Sequence, residues 1–368
     1  MGEEAAGVVV MDVNSGELLA MASTPTFDPN EFTRGISQEN YTGLLNDPRK
    51  PLLNKSISGQ YPPGSTFKMI VALAALEQGV ITPETEAYCN GKHRLGKQTF
   101  HCWKHPAGHG KVDLLKGIYQ SCDIYFYKIA EKLDIDHIAE MARRLGLEQT
   151  YNLGVDGQRK GLIPDRSWKR AYRDEPWYLG ETLNVSIGQG AVLATPLQLA
   201  VMTARLASGR AVEPSLIMES GGGIKAGAFD HLNVNPLHLR IVRRGMEMVV
   251  ERVGVAHDSR RKKSAPIQAG KTGTAQVRRI TKEQRAEGLH KNDKKPWAEK
   301  DHALFVGYAP AENPRIAVSV LVQHGGSGSK VAAPIARRVM DKALELMDKS
   351  SVQQSEPVPA PLVNLERT

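Results

Sequence analysis

Three short stretches of this chain carry residues able to do acyl-transfer chemistry. The first is Ser65-Thr66-Phe67-Lys68. A serine hydroxyl is a weak nucleophile until a base takes its proton. At a helix start, residues i and i+3 share one face, so Lys68 is expected to reach back toward Ser65. A desolvated lysine beside other cations can lose its proton and serve as the base. The helix N-terminus adds backbone N–H groups and positive potential where an oxyanion would form. Alone, the pattern equally describes an N-cap serine and a solvated lysine.

The second stretch is Ser121-Cys122-Asp123, between two apolar, aromatic-rich segments. On a continuous helix, Ser121 and Asp123 would diverge by about 200°. They can act together only if the helix breaks between them and the backbone is locally extended. The third is Lys271-Thr272-Gly273-Thr274, read as a strand. Gly273 would allow close approach to the backbone. Lys271 and the threonine hydroxyls could hold a carboxylate, and the Thr274 N–H could complete an oxyanion hole.

In this order, S-x-x-K, a serine triplet and K-T-G form the motif set of penicillin-binding proteins and class A β-lactamases. The blocks "GVVVMDVNSGELLAMASTPTFDPNEF", "YPPGSTFKM", "DEPWYLGETLNVSIGQG", "ATPLQLA", "GKTGTAQV" and "HALFVGYAP" extend the match over residues 6–345. The chain resembles the transpeptidase domain of class B penicillin-binding proteins, in their elongation-specific branch. The resemblance implies a serine acyl-enzyme. Ser65 would attack the D-Ala-D-Ala end of a peptidoglycan stem peptide, with Lys68 as base and Ser121 as proton relay. Lys271, Thr272, Gly273 and Thr274 would hold the substrate, and the Ser65 and Thr274 N–H groups would form the oxyanion hole. β-Lactams would trap Ser65. It further implies a SEDS-family glycan polymerase and rod-shape proteins as partners, at the periplasmic face of the bacterial inner membrane.

One residue departs from the common pattern. Asp123 stands where the family usually has Asn. An ionised carboxylate only accepts hydrogen bonds, so Asp123 is expected to pair with a lysine. A D,D-carboxypeptidase, a β-lactamase-type hydrolase or a non-catalytic β-lactam sensor would share the same three motifs. Turnover of penicillin by water, or acylation without cross-linking, would distinguish them.

The chain has three cysteines, all within residues 89–122, together with His93, His101, His105 and His109. Thiolates and imidazole in a glycine-rich loop have the composition of a structural zinc site. Zinc also accounts for the odd cysteine number. The chosen ligands are Cys89, Cys102, His109 and Cys122. His109 is flanked by glycines that allow a sharp turn, His101 adjoins Cys102, and His105 would make a tight Cys-x-x-His chelate. The alternative is a Cys89–Cys102 disulfide, with Cys122 simply buried.

The surrounding elements must bring these pieces together. Strand-like runs occur at 6–23, 269–277, 302–309 and 315–324, with helices between about 61 and 250 and a closing helix at 331–347. This predicts an α+β fold, with one antiparallel sheet built from N- and C-terminal segments around a helical insertion. One transpeptidase domain is expected over 1–349, with a disordered tail from 350 to 368. Residues 40–60 read as irregular surface, and 277–301 as a solvated hairpin extension, or else a basic lid over the cleft. Trp103 and Trp177 are candidates to line the cleft or to pin local packing.

Hydrophobic residues make up 41% and charged residues 24%, ordinary for a globular protein. The net charge of +8, concentrated at 260–263 and 277–300, permits an acidic partner without requiring one. The basic runs lack interleaved aromatics, which argues against nucleic acid. No stretch approaches the roughly 20 apolar residues of a membrane helix. The early plunge into a strand suggests a trimmed start, with a membrane anchor and pedestal region expected outside this sequence.

Overall fold

A computed structural model describes residues 4–216, 229–251, 254–260, 267–278, 287 and 292–355. Much of both basic runs and the residues beyond 355 lie outside the described residues. The expected hairpin forms from β1 (Ala6–Asp12) and β2 (Leu18–Thr24). Two short helices follow, α1 (Pro29–Thr33) and α2 (Gln38–Asn46). The second falls where irregular surface was expected. Neither buries a residue, so neither carries an apolar stripe for the sequence to reveal; each starts at a side-chain cap, Asp28 or Ser37.

A 3-10 turn (Gly64–Phe67) then leads into α3 (Lys68–Glu77). Every residue of α3 from Lys68 to Leu76 is buried, so the helix is a core element. The aperiodic region after it holds two small hairpins. β3 (Ala87–Cys89) pairs with β6 (Gly110–Val112), and β4 (Lys92–Leu95) with β5 (Gln98–His101). Strands of three or four residues are too short to show alternation.

Helices α4 (Leu114–Tyr119), α5 (Asp123–Ala130), α6 (Ile135–Arg144), α7 (Arg166–Arg173), α8 (Leu179–Ser186), α9 (Pro196–Ser208) and α10 (Pro236–Val250) complete the insertion. Thr195 caps α9 as expected, with Gln198 closing a capping box and Pro196 in the first turn.

The chain returns to the sheet with β7 (Ala269–Ala275), β8 (His302–Ala309) and β9 (Ile316–Val322), then α11 (Ala333–Ser355). The sheet order is β2-β1-β9-β8-β7, and every pairing is antiparallel. The N-terminal hairpin is thus completed by C-terminal strands, the α+β arrangement expected. Every residue of β8 and β9 is buried, so both faces are covered. α9 packs on β1, β8 and β9, α11 on β8 and β9, and α10 joins β7 to α3 and α4. β7 is an edge strand, and the Gly64–Phe67 turn packs against it. The fold therefore sets the Lys271 strand beside Ser65 and the start of α3. The closing helix runs on to Ser355, past the point where the tail was expected to begin.

Candidate active site and the adjacent thiol cluster

Ser65 lies in the 3-10 turn and is partly exposed. The turn is pressed against β7 and the loop after α8. Gly64 has φ +56°, and its N–H donates to the Gly188 carbonyl at 2.9 Å. A Cβ on Gly64 would stand 2.9 Å from the Thr274 carbonyl oxygen. A Cβ on Gly273 would stand 2.9 Å from the Pro63 oxygen. Gly273 thus lets the strand approach the serine turn, a different neighbour from the ligand that the sequence suggested.

The chain breaks between α4 and α5 as the Ser121–Asp123 pair requires. The form of the break is a left-handed Ser121 (φ +53°) followed by an extended Cys122. Ser121 and Asp123 turn into a buried polar centre. Lys68 Nζ donates to Asp123 Oδ1 at 2.7 Å, the Ser121 carbonyl at 3.0 Å and Ser121 Oγ at 3.2 Å. Lys271 Nζ donates to Ser121 Oγ at 2.9 Å and to the Thr272 carbonyl at 2.9 Å. The expected lysine partner of Asp123 is Lys68. Among the described residues no hydrogen bond reaches the Ser65 hydroxyl; the bonds of Lys68 Nζ go to Ser121 and Asp123.

Two ammonium groups and one carboxylate share this site. Burial, and then repulsion from Lys68, hold the Lys271 pKa well below the ordinary lysine value. Burial also raises the Asp123 carboxyl, with Lys68 pulling the other way. Lys68 is ion-paired with Asp123, whereas the bonds of Lys271 go to the Ser121 hydroxyl and the Thr272 carbonyl. Thr272 is buried, whereas Thr274 is exposed on the edge strand, its Oγ1 3.4 Å from the Gly328 N–H.

Behind the triplet, Cys122 turns the other way. Its sulfur, those of Cys89 and Cys102, and a ring nitrogen of His109 all lie within 4.8 Å of one another. All four residues are buried, and the three cysteines are free thiols. His109 Nδ1 is 3.5 Å from each of the Cys89 and Cys102 sulfurs. Gly108 and Gly110 both take positive φ, and a Cβ on Gly108 would collide with the Cys89 carbonyl at 2.2 Å. His105 is exposed and packs on the His101 ring instead. The Cys122 thiol supports the Cys102 thiolate, whose pKa falls to about 3, while giving that hydrogen bond and being buried push Cys122 upward.

One connection could not be read from residue types. The Trp103 backbone N–H donates to Asp123 Oδ2 at 2.8 Å. Trp103 follows Cys102, so the thiol loop touches the carboxylate that holds Lys68. The Trp103 indole is 58% exposed and its Nε1 donates to the Gln120 carbonyl, at the edge of the site. Trp177 pins local packing, with Nε1 donating to Thr182 Oγ1 at 2.8 Å. The Gly188 turn, which cradles Gly64, lies in the quoted "NVSIGQG" block, but no spacing rule announced its role.

The sequence and the fold are similar to those of one family of known proteins. The penicillin binding protein transpeptidase domain family matches residues 6–341. The peptidoglycan D,D-transpeptidase MrdA of Haemophilus influenzae is 38% identical over 348 residues, 91% of this chain and 52% of the relative. The chain spans about half the length of the curated relatives it matches. Penicillin-binding protein 2 of Pseudomonas aeruginosa, solved in complex with WCK 5153, is 40% identical with a TM-score of 0.80, over 93% of this chain and 74% of that one. The Helicobacter pylori protein of the same name, solved with MreC, is 32% identical with a TM-score of 0.82, over 93% of this chain and 60% of that one. On its sequence, its sheet and its motif order alike, this chain belongs to the penicillin-binding protein transpeptidase domain family.

Proposed function

We propose that the chain is the catalytic domain of a peptidoglycan D,D-transpeptidase acting through an acyl-enzyme on Ser65. The observation that carries this reading is the convergence of Lys68, Ser121, Asp123 and Lys271 beside the Ser65 turn. In acylation, Ser65 Oγ attacks the penultimate D-alanyl carbonyl and gives up its proton to the lysine-centred network. The Ser65 and Thr274 backbone N–H groups receive the oxyanion. Collapse breaks the C–N bond, and the departing D-alanine amine takes a proton through Ser121. The amine of a second stem peptide then attacks the ester, forms the cross-link and frees Ser65. Lys271, Thr272 and Thr274 hold the substrate carboxylate. β-Lactams stop the cycle at the ester. Ser65→Ala is expected to abolish covalent labelling by a fluorescent penicillin; a mutant that still labels would remove Ser65 from its role.

The buried thiol cluster supports a structural zinc held by Cys89, Cys102, His109 and Cys122. Three thiolate sulfurs and one imidazole are a closed donor set, suited to structure rather than to catalysis. A bound zinc would satisfy the thiolates and fix the loop that carries Trp103. Purified protein is expected to contain one zinc per chain by elemental analysis, and strong chelation to lower its melting temperature by several degrees. Metal-free protein with a Cys89–Cys102 bridge by mass spectrometry would replace this reading with the disulfide.

The relatives are longer and bear cell-wall names. That supports a role in cell elongation with a rod-shape complex and a SEDS-family polymerase, on the periplasmic face of the inner membrane. Among the described residues no helix is long and apolar enough to cross a membrane.

A further inference from the structure

An aromatic surface stands at the far end of α8 from Ser65. On α7, Trp168 and Tyr172 are four residues apart and share one face. Their rings are parallel to within 12°, with centroids 5.7 Å apart, and the Arg173 guanidinium carbon lies 5.9 Å from the Tyr172 ring centroid. Tyr172 is 72% exposed, and the neighbouring Tyr178 and Leu179 are exposed as well. Trp168 beneath them is half-buried, and exposed aromatics on a packed base mark a binding surface more often than a packing accident.

The surface is firmly mounted. Lys169 Nζ lies 4.3 Å from the Tyr178 ring centroid and donates to Glu181 Oε2 at 2.6 Å. The same oxygen accepts the Tyr178 N–H at 2.9 Å. A Tyr178 ring held this way loses little freedom on binding. From Tyr178, the eight residues of α8 run about 12 Å toward the Gly188 turn that grips Gly64, next to Ser65.

Charge narrows the occupant. At the surface of residues 165–181, Arg166, Arg170 and Arg173 are matched by Asp174, Glu175 and the half-buried Glu181, three of each sign, while Asp165 and Lys169 are buried. A balanced patch gives no net attraction to nucleic acid or an anionic membrane. It suits a neutral, polyhydroxylated ligand. The negative faces of aromatic rings attract the polarised C–H groups on one side of a sugar ring. The mixed arginines and carboxylates can donate to, and accept from, hydroxyl and acetamido groups.

We propose that Trp168, Tyr172 and Tyr178 dock the amino-sugar backbone of a glycan strand and hold its stem peptide near Ser65. The inference rests on the transpeptidase reading above. It is tested with the full chain pre-acylated by penicillin, so that only binding outside the blocked cleft is scored. The probes are isolated sacculi, chitohexaose, and phosphatidylglycerol vesicles. Wild-type protein should sediment with sacculi and show chitohexaose-dependent tryptophan fluorescence. Tyr172→Ala should weaken sacculus binding at least threefold, and the Trp168→Ala/Tyr172→Ala pair at least tenfold. Penicillin acylation rates should stay unchanged in both. Sacculus binding that is unaltered in Tyr172→Ala, or no response to chitohexaose, overturns the proposal. So does binding to vesicles that the variants lose, which would assign the surface to lipid. Failure of the wild-type protein to react with penicillin would instead overturn the transpeptidase reading.

Discussion

Asp123 shows how one atom set can serve two neighbours. Oδ1 holds the Lys68 ammonium at 2.7 Å and Oδ2 accepts the Trp103 N–H at 2.8 Å. An asparagine offers only one acceptor oxygen and no charge. Asp123→Asn therefore leaves Lys68 without its counter-ion while keeping nearly the same shape. The expected outcome is a folded protein whose acylation by fluorescent penicillin slows by about 100-fold, the lower end of what a positioned acid–base group contributes. A rate within twofold of wild type would mean that the charge is not needed. That Asp123 would seek a lysine was legible, because a carboxylate cannot donate. Trp103 was not, because its contribution is a backbone N–H, which every residue except proline owns. Likewise, S-x-x-K spacing announced Lys68 but not its direction, since an i+3 neighbour can also swing toward a third element.

At the scale of elements, strands and long helices were readable because their apolar residues recur at a fixed period. The short hairpins around Cys89 and the exposed α1 and α2 lack that signal. Placing the thiol cluster depended instead on composition, and the flanking glycines of His109 were the clue to its turn. The sheet also holds a titrating group that only packing reveals. His302, at the start of β8, is buried under the Tyr61 ring, and its Nδ1 accepts the His324 N–H at 3.1 Å. Burial, then the nearby His324, lowers its pKa to about 4 from the ordinary histidine value of 6.5. The folded state thus resists a proton that the unfolded chain accepts. Its stability is whole above pH 6.5 and is lost as pH falls toward 4, by about 3 kcal/mol at the limit. Urea midpoints at pH 7.5 and pH 5 should therefore lie further apart in wild type than in His302→Gln. An equal spread in both would show that other groups set the acid sensitivity.

Across the whole molecule, the sheet is a meeting of the two ends of the chain. β1 lies between β2 and β9, so the N-terminal hairpin depends on strands some three hundred residues later. That pattern was legible because an isolated hairpin is marginal and needs partners. The domain boundary can be argued from the last helix. Ala333, Ala336, Met340 and Leu344 are buried along α11, and Met347 still packs on the core. This stripe covers β8 and β9. We propose 1–349 as the folding unit, which makes two truncations informative. A chain ending at Lys349 keeps the whole stripe, Met347 included, and should melt within about 2 °C of the full chain. A chain ending at Ala332 removes two large core side chains, each worth about 2–5 kcal/mol, and uncovers the strands beneath. With typical domain stabilities of about 5–15 kcal/mol, it should lose its cooperative transition and its reaction with penicillin together. Cooperative melting of the shorter chain would mean that the sheet is closed by something other than α11. A large loss in the longer one would move the boundary into residues 350–355.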